Sequence, residues 1–176
     1  MKNTQFFKRL LSGLFLLPII IYIVIEGSLL FNLFLFLCLV LTFYEWHFLS
    51  IKKNYYYFGY IYLIFSFVSA YKIRYINDDE SFYFLLILLI CISTDLGGYI
   101  CGKLFKGPKL TKFSPNKTIS GMIGSYIISM TVSLIFLSKY DQSYFNVFDI
   151  NIIFIILLIS TVSQVGDIII SVFKRI

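Results

Sequence analysis

Six mostly apolar stretches run the length of the chain, at Leu10–Ile25, Ser28–Tyr44, Tyr55–Tyr71, Phe82–Cys101, Ile119–Ser138 and Asn151–Phe173. Each approaches or reaches the roughly 20 residues that a helix needs to cross the hydrocarbon core of a bilayer. Short polar or charged clusters separate them. The first two are separated only by Glu26 and Gly27, which predicts a tight helical hairpin. Tyr55, Tyr56, Tyr57 and Tyr71 flank the third stretch, where an interfacial aromatic belt belongs. The pattern predicts an all-α, polytopic membrane bundle of about six transmembrane helices.

Composition agrees. Of 176 residues, 59% are hydrophobic and 14% charged, and the mean hydropathy is +0.87. Soluble chains are about 45–50% apolar, so this one needs lipid as its solvent. Little chain remains for a separate soluble domain, and a single integral membrane domain over residues 1–176 is expected. Lys2, Lys8 and Arg9 ahead of the first apolar run resemble a secretory leader. No small-residue cleavage site precedes Glu26, and a retained signal anchor is the better expectation. Cys38, Cys91 and Cys101 are scattered without ligand spacing and read as small packing residues. The single His47, beside Trp46, reads as an interfacial residue rather than a metal ligand.

Charge sets the expected orientation. With the N-terminus in the cytoplasm and the loops alternating, twelve of the fifteen Lys and Arg residues fall inside. Only Lys72, Arg74 and Lys139 fall outside, as the positive-inside rule requires. Glu26, Asp78, Asp79, Glu80, Asp141 and Asp149 all lie outside. Six crossings return the C-terminus to the cytoplasm.

Asp95 and Asp167 interrupt apolar segments. An ionised carboxylate at membrane depth costs at least a few kcal/mol, so it faces a partner or a wet cavity. Asp95 precedes Lys103 by eight residues and Asp167 precedes Lys174 by seven, or about 10–12 Å of helix in each case. Matching depth allows the two carboxylates to share one site. Their helices also point negative ends toward the cytoplasm. Oxygen ligands without cysteine or paired histidine favour Mg²⁺ over zinc. The alternative is that each acid is paired with Lys or Arg for structure alone.

Ser160, Gln164, Asp167, Ser171 and Lys174 form a helical stripe, which predicts a polar face lining a cavity or packing on polar helices. Gly121, Ser125, Ser129 and Ser133, at four-residue spacing, read as a close helix-packing seam. The loop Lys103–Thr118 holds five lysines and no acid. Within it, Ser114 with Pro115, or Thr118, can cap the next helix. Its positive end, a hydroxyl and Lys117 would make an anion site. A basic loop that merely follows the positive-inside rule or docks on anionic lipid is the competing reading.

At these residues the chain resembles phosphatidate cytidylyltransferase (CDP-diacylglycerol synthase). Glu45-Trp46 resembles the Glu-Trp ending an early helix of that family. Thr94-Asp95 through Gly102-Lys103-Leu104-Phe105 is similar to its Asp-containing helix and following turn. Ser114-Pro115-Asn116-Lys117-Thr118 with Gly121 is similar to its Ser-Pro-x-Lys-Thr-x-x-Gly. Gly166-Asp167 with Ser171-Val172-Phe173-Lys174-Arg175 resembles the opening of the family signature. Ser120 stands where the family commonly has an acid. The signature normally continues through Lys-Asp and Gly-His-Gly-Gly to an Asp-Arg pair, whereas this chain stops at Ile176. A truncated member, without the second metal-binding aspartate, is expected.

The resemblance implies transfer of CMP from CTP to phosphatidate, giving CDP-diacylglycerol and pyrophosphate. It implies Asp167 as the holder of Mg²⁺, Asp95 as the second acid, and Lys174 and Arg175 as catalytic cations. Lys117, Ser114, Thr118 and Ser171 would bind substrate phosphate. Membrane lipid is the expected surrounding, at the bacterial cytoplasmic membrane, with the active site facing the cytoplasm. Nucleic acid is not an expected partner, and a homodimer is compatible with the pattern. Two rivals stay open: a CTP-dependent polyprenol or phytol kinase, and a small ion-coupled transporter using the two acids.

Overall fold

The computed structural model describes residues 15–51, 56–75, 81–110, 117–139 and 150–173. Six helices account for nearly all of them: α1 Phe15–Glu26, α2 Ser28–Ser50, α3 Tyr56–Arg74, α4 Phe82–Phe105, α5 Ile119–Lys139 and α6 Ile150–Phe173. Among the described residues the only β feature is an isolated antiparallel bridge between Lys109 and Thr118. Each expected apolar stretch corresponds to a helix, but several helices outrun their stretches. α2 continues from Tyr44 to Ser50, and α4 from Cys101 to Phe105. The cause is physical: apolarity ends where hydrocarbon ends, while backbone hydrogen bonding continues into the polar zone.

The surface is inverted relative to a soluble protein. Phe58 is 74% exposed, Leu104 70% and Ile150 77%. Ser93, Thr94, Ser125, Ser129, Ser133 and Ser160 are buried instead. Water would not tolerate that exterior, and lipid favours small and hydroxylic residues between helices. α2, α4, α5 and α6 are each long and apolar enough to span a bilayer. The protein is an integral membrane helical bundle.

The described residues fall into two compact units, divided between Leu85 and Leu86. In the first, Gly27 turns the chain between α1 and α2 with φ +63°, a conformation that favours glycine. A Cβ there would also overlap the Arg74 guanidinium. Arg74 is 2% exposed. Its Nε donates to the Val24 carbonyl at 2.8 Å, and Nη2 donates to that of Ile25 at 3.3 Å. It thus occupies carbonyls that a helix C-terminus leaves without partners. Its charge also meets the negative end of α1. Phe31 and Tyr75 flank the cation at 5.8 and 5.5 Å.

α2 and α3 close at their joined ends. The Trp46 indole lies against Gly59, where a Cβ would overlap the ring, and Nε1 donates to the Tyr56 carbonyl at 3.0 Å. His47 Nδ1 stands 2.9 Å from the Tyr56 hydroxyl and 3.1 Å from that of Tyr60. His47 therefore belongs to an aromatic cluster.

In the second unit, α4 and α5 approach through glycines. A Cβ on Gly97 would lie 2.8 Å from the Gly124 carbonyl, and one on Gly121 2.7 Å from that of Gly98. Ser125, Ser129 and Ser133 are buried along with Gly121, as the four-residue spacing anticipates. Ser125 Oγ donates to the Thr94 carbonyl at 2.7 Å. Thr94 Oγ1 donates to Ser160 Oγ at 3.0 Å, joining α4 to α6. Ser160 also receives Ser129 Oγ at 3.4 Å. Thr94, Ser129 and Ser160 thus tie the three helices together just below the site.

Candidate active site

α4, α5 and α6 enclose a cavity of about 370 Å³, and both membrane-depth acids line it. α4 contributes Thr94, Asp95, Gly98 and Tyr99, and α6 contributes Gln164 and Asp167. Lys117 and Thr118, immediately before α5, complete the charged part. Seventy-two residues apart in sequence, Asp95 and Asp167 line the same cavity, and the Thr94–Ser160 hydrogen bond joins their two helices.

Lys117 Nζ lies 3.0 Å from Asp167 Oδ2, with side chains 30% and 50% exposed. The same ammonium reaches the main-chain carbonyl of Gln164 at 3.5 Å. Its position is held by the chain around it. Leu110 N donates to the Lys117 carbonyl at 2.8 Å, and Ile119 N to that of Pro108 at 2.9 Å. Gly107 N donates to Ser120 Oγ at 3.2 Å. These bonds lash the segment after α4 to the start of α5. Lys103, outside the cavity lining, stands 5.7 Å from the centre of the Tyr99 ring.

Thr118 is the residue that caps α5. Its Oγ1 accepts the Gly121 N–H at 3.1 Å, and its carbonyl accepts that of Met122 at 3.0 Å. With Ile119 N also engaged, attraction for an anion rests on Lys117 and the partial charge of the helix end more than on free N–H groups. Ser171 does not line the cavity, and its hydroxyl donates to Ile168 in its own helix at 2.7 Å. Ser114, Lys174 and Arg175 lie outside the described residues. The helix-end contribution to the acids is also small. α4 runs to Phe105, ten residues past Asp95, and the dipole acts within about the last turn.

The donor set is hard: two carboxylates, hydroxyls and an amide, with neither cysteine nor histidine lining the cavity. Among the described residues no cluster of three or more His, Cys, Asp or Glu forms a closed protein cage for a metal. Mg²⁺ does not require one, because it is commonly held by one or two carboxylates with water and substrate phosphate. The residues present fit that mode.

Gln164, Thr94, Tyr99, Met122 and Leu110 were not among the site residues expected from sequence. Gln164 and Thr94 had signals, the first in the polar stripe and the second beside Asp95. Leu110 and Met122 had none, because only the fold brings them here.

The site is a charged cavity in an apolar helical bundle, combining two carboxylates with an anchored lysine. The chain belongs to the cytidylyltransferase family, whose model matches residues 55–176. It is similar to the phosphatidate cytidylyltransferase of Staphylococcus haemolyticus, at 37% identity over 103 residues, 56% of this chain and 37% of the relative. The Staphylococcus saprophyticus protein of that name is 34% identical over 111 residues, 62% of this chain and 40% of the relative. That of Brucella melitensis is 35% identical over 117 residues, covering 64% and 42%. The matched region thus spans about two fifths of the length of these curated relatives. No solved structure matches the chain.

Proposed function

We propose that this chain handles the metal and the phosphates in the transfer of CMP from CTP to phosphatidate, yielding CDP-diacylglycerol and pyrophosphate. The supporting observation is the convergence of Asp95, Asp167 and Lys117 on one cavity among membrane helices. An attacking lipid phosphate and a nucleotide triphosphate both carry negative charge. The reaction needs them positioned together and their charge neutralised more than it needs covalent help. Asp167, with Asp95 beside it, would hold Mg²⁺, which when bound supplies charge neutralisation at phosphate oxygens.

Lys117 has a double role in this reading. Before substrate arrives it neutralises Asp167 and keeps the carboxylate in place. With substrate present it donates to a phosphate oxygen from the same anchored position. Thr118 orders the start of α5, so that Lys117 and the helix end face the cavity together. Lys174, Arg175 and Ser114 would add phosphate contacts, Arg175 in bidentate fashion. Ser171, bonded within α6, would join them only by exchanging that bond. The active site would open to the cytoplasmic side of the bacterial inner membrane, where the lysine-rich loop lies by the positive-inside rule. A homodimer is compatible with this assignment.

The test follows label from α-phosphate-labelled CTP in membranes carrying the chain, alone and joined to the Gly-His-Gly-Gly and Asp-Arg elements of a full-length relative. Labelled CDP-diacylglycerol, dependent on Mg²⁺ and lost in Asp167→Asn, is the expected result. Release of CDP with phosphorylation of a lipid alcohol would assign a kinase instead. A metal-independent product that survives Asp167→Asn would overturn the site.

A further inference from the structure

We infer that Gln164 is a substrate-positioning residue, an uncharged donor to a phosphate oxygen that it shares with Lys117. The inference rests on the phosphoryl chemistry proposed above and adds a residue to it. Gln164 lines the cavity, yet its side-chain nitrogen is buried and has no hydrogen-bond partner among the described residues. The other polar residues at this level of the bundle differ. Ser160, one turn earlier on α6, is bonded to Thr94 and Ser129. Thr161 is bonded to Leu157 and Tyr126. A glutamine whose donor serves nothing is costly here, since Leu or Met would fill the space without an orphaned N–H.

The partner must be an acceptor. The terminal torsion of glutamine is soft, so a modest turn presents the amide to the cavity. Lys117 lines the same cavity, its ammonium 3.5 Å from the main-chain carbonyl of Gln164. An oxygen placed before both would receive one charged and one neutral hydrogen bond, an arrangement suited to phosphate. Gln164 precedes Asp167 by three residues, about 4.5 Å further along α6 from its C-terminal end. That depth favours the phosphate of the lipid over those of a nucleotide.

The experiment measures binding to the full chain in detergent micelles by titration calorimetry. The probes are 1,2-dioctanoyl phosphatidate and CTP, each with Mg²⁺, and 1,2-dioctanoylglycerol serves as the phosphate-free control. Gln164→Met keeps the length and removes the amide, while Gln164→Glu keeps the shape and removes the donor. Both variants should bind phosphatidate five- to tenfold more weakly, with dioctanoylglycerol uptake and the thermal midpoint unchanged. Weakening confined to CTP would keep the phosphate contact and assign it to the nucleotide. Wild-type affinity for both probes in both variants would overturn the inference and leave the proposed function standing. Equal weakening for all three probes with a lowered thermal midpoint would mean packing alone and overturn it too. Failure of wild-type protein to bind either phosphorylated probe would remove the proposed function and this inference together.

Discussion

Lys117 and Asp167 are ion-paired at 3.0 Å between the residue preceding the α5 cap and the C-terminal part of α6. Neither side chain is deeply buried, and exposed or half-exposed pairs contribute about 0–1 kcal/mol to folding. Structural need is therefore a poor account of a pair held by so many backbone bonds. Lys117→Met should lower stability by less than about 1 kcal/mol, read as a small shift of the thermal midpoint in detergent. The proposed CMP transfer should fall by about tenfold or more in the same variant, because a hydrogen bond to a charged group is worth about 1.5–3 kcal/mol. A large loss of stability with activity retained would make the pair a structural strut.

Asp95 lines the same cavity and is not a member of that ion pair, so its removal should affect the binding of a metal ion more than the placing of the lysine. Asp95→Asn is expected to raise the Mg²⁺ concentration for half-maximal activity while leaving the Lys117–Asp167 contact intact. Asp167→Asn removes the carboxylate that pairs with Lys117 and that the proposed function assigns to the metal, and activity should fall about a hundredfold or more, since metal stabilisation of phosphoryl oxygens is worth several kcal/mol. Chelation of Mg²⁺ should abolish wild-type activity, and its return should restore it. Equal, metal-independent losses in both variants would mean that the acids serve folding.

The buried hydroxyl network gives a prediction of opposite character. Ser160→Ala removes the acceptor of Thr94 and Ser129, yet Thr94 Oγ1 also donates to the Ile90 carbonyl at 2.7 Å and Ser129 Oγ to that of Tyr126 at 3.2 Å. Each donor has a fallback in its own helix. The loss should be about 0.6 kcal/mol, the average for interhelical hydrogen bonds in a membrane. Gly97→Leu, by contrast, would drive a side chain into the Gly124 carbonyl and Ser125 backbone. It should cost more than the ~1–3 kcal/mol of ordinary overpacking. Thermal unfolding of the two variants should differ in that order.

Much of this was readable in the sequence because a bilayer simplifies the code. Lipid enforces apolar segments, so the helices could be marked, and it penalises lone acids, so Asp95 and Asp167 stood out. The seam from Gly121 to Ser133 was legible for the same reason: small residues at four-residue spacing have one use between helices. Helix ends were less legible, since α2 and α4 pass beyond their apolar stretches. Arg74 was counted only as an outer charge, yet it folds back onto Val24 and Ile25. No local pattern encodes a contact fifty residues away. The polar stripe on α6 promised one continuous face, but Ser160 packs, Gln164 and Asp167 line the cavity, and Ser171 bonds within its helix.

Arg74 makes a prediction for the first unit. Arg74→Met would leave the Val24 and Ile25 carbonyls without their partner, and an unsatisfied buried group costs about 1–3 kcal/mol. Arg74→Lys cannot offer the same fork of donors and should recover only part of this. Hydrogen exchange at the Phe31 amide, which donates to the Gly27 carbonyl at 3.1 Å, should accelerate in both variants. Unchanged exchange there would show that Gly27 alone holds the turn.

Orientation can be tested on the second unit alone. Lys106 follows α4 and Lys139 closes α5, and both are exposed, so a reagent that cannot cross lipid can distinguish them. In a chain with Cys38, Cys91 and Cys101 replaced by alanine, Lys106→Cys should react with an impermeant maleimide only from the cytoplasmic face. Lys139→Cys should react only from the other face. The sign matters for the proposed chemistry, because CTP, the nucleotide it assigns, is cytoplasmic and Lys117 lies on the Lys106 side of α5. Labelling of Lys106→Cys from the outer face would leave Asp95, Asp167 and Lys117 assembled but out of reach of that substrate.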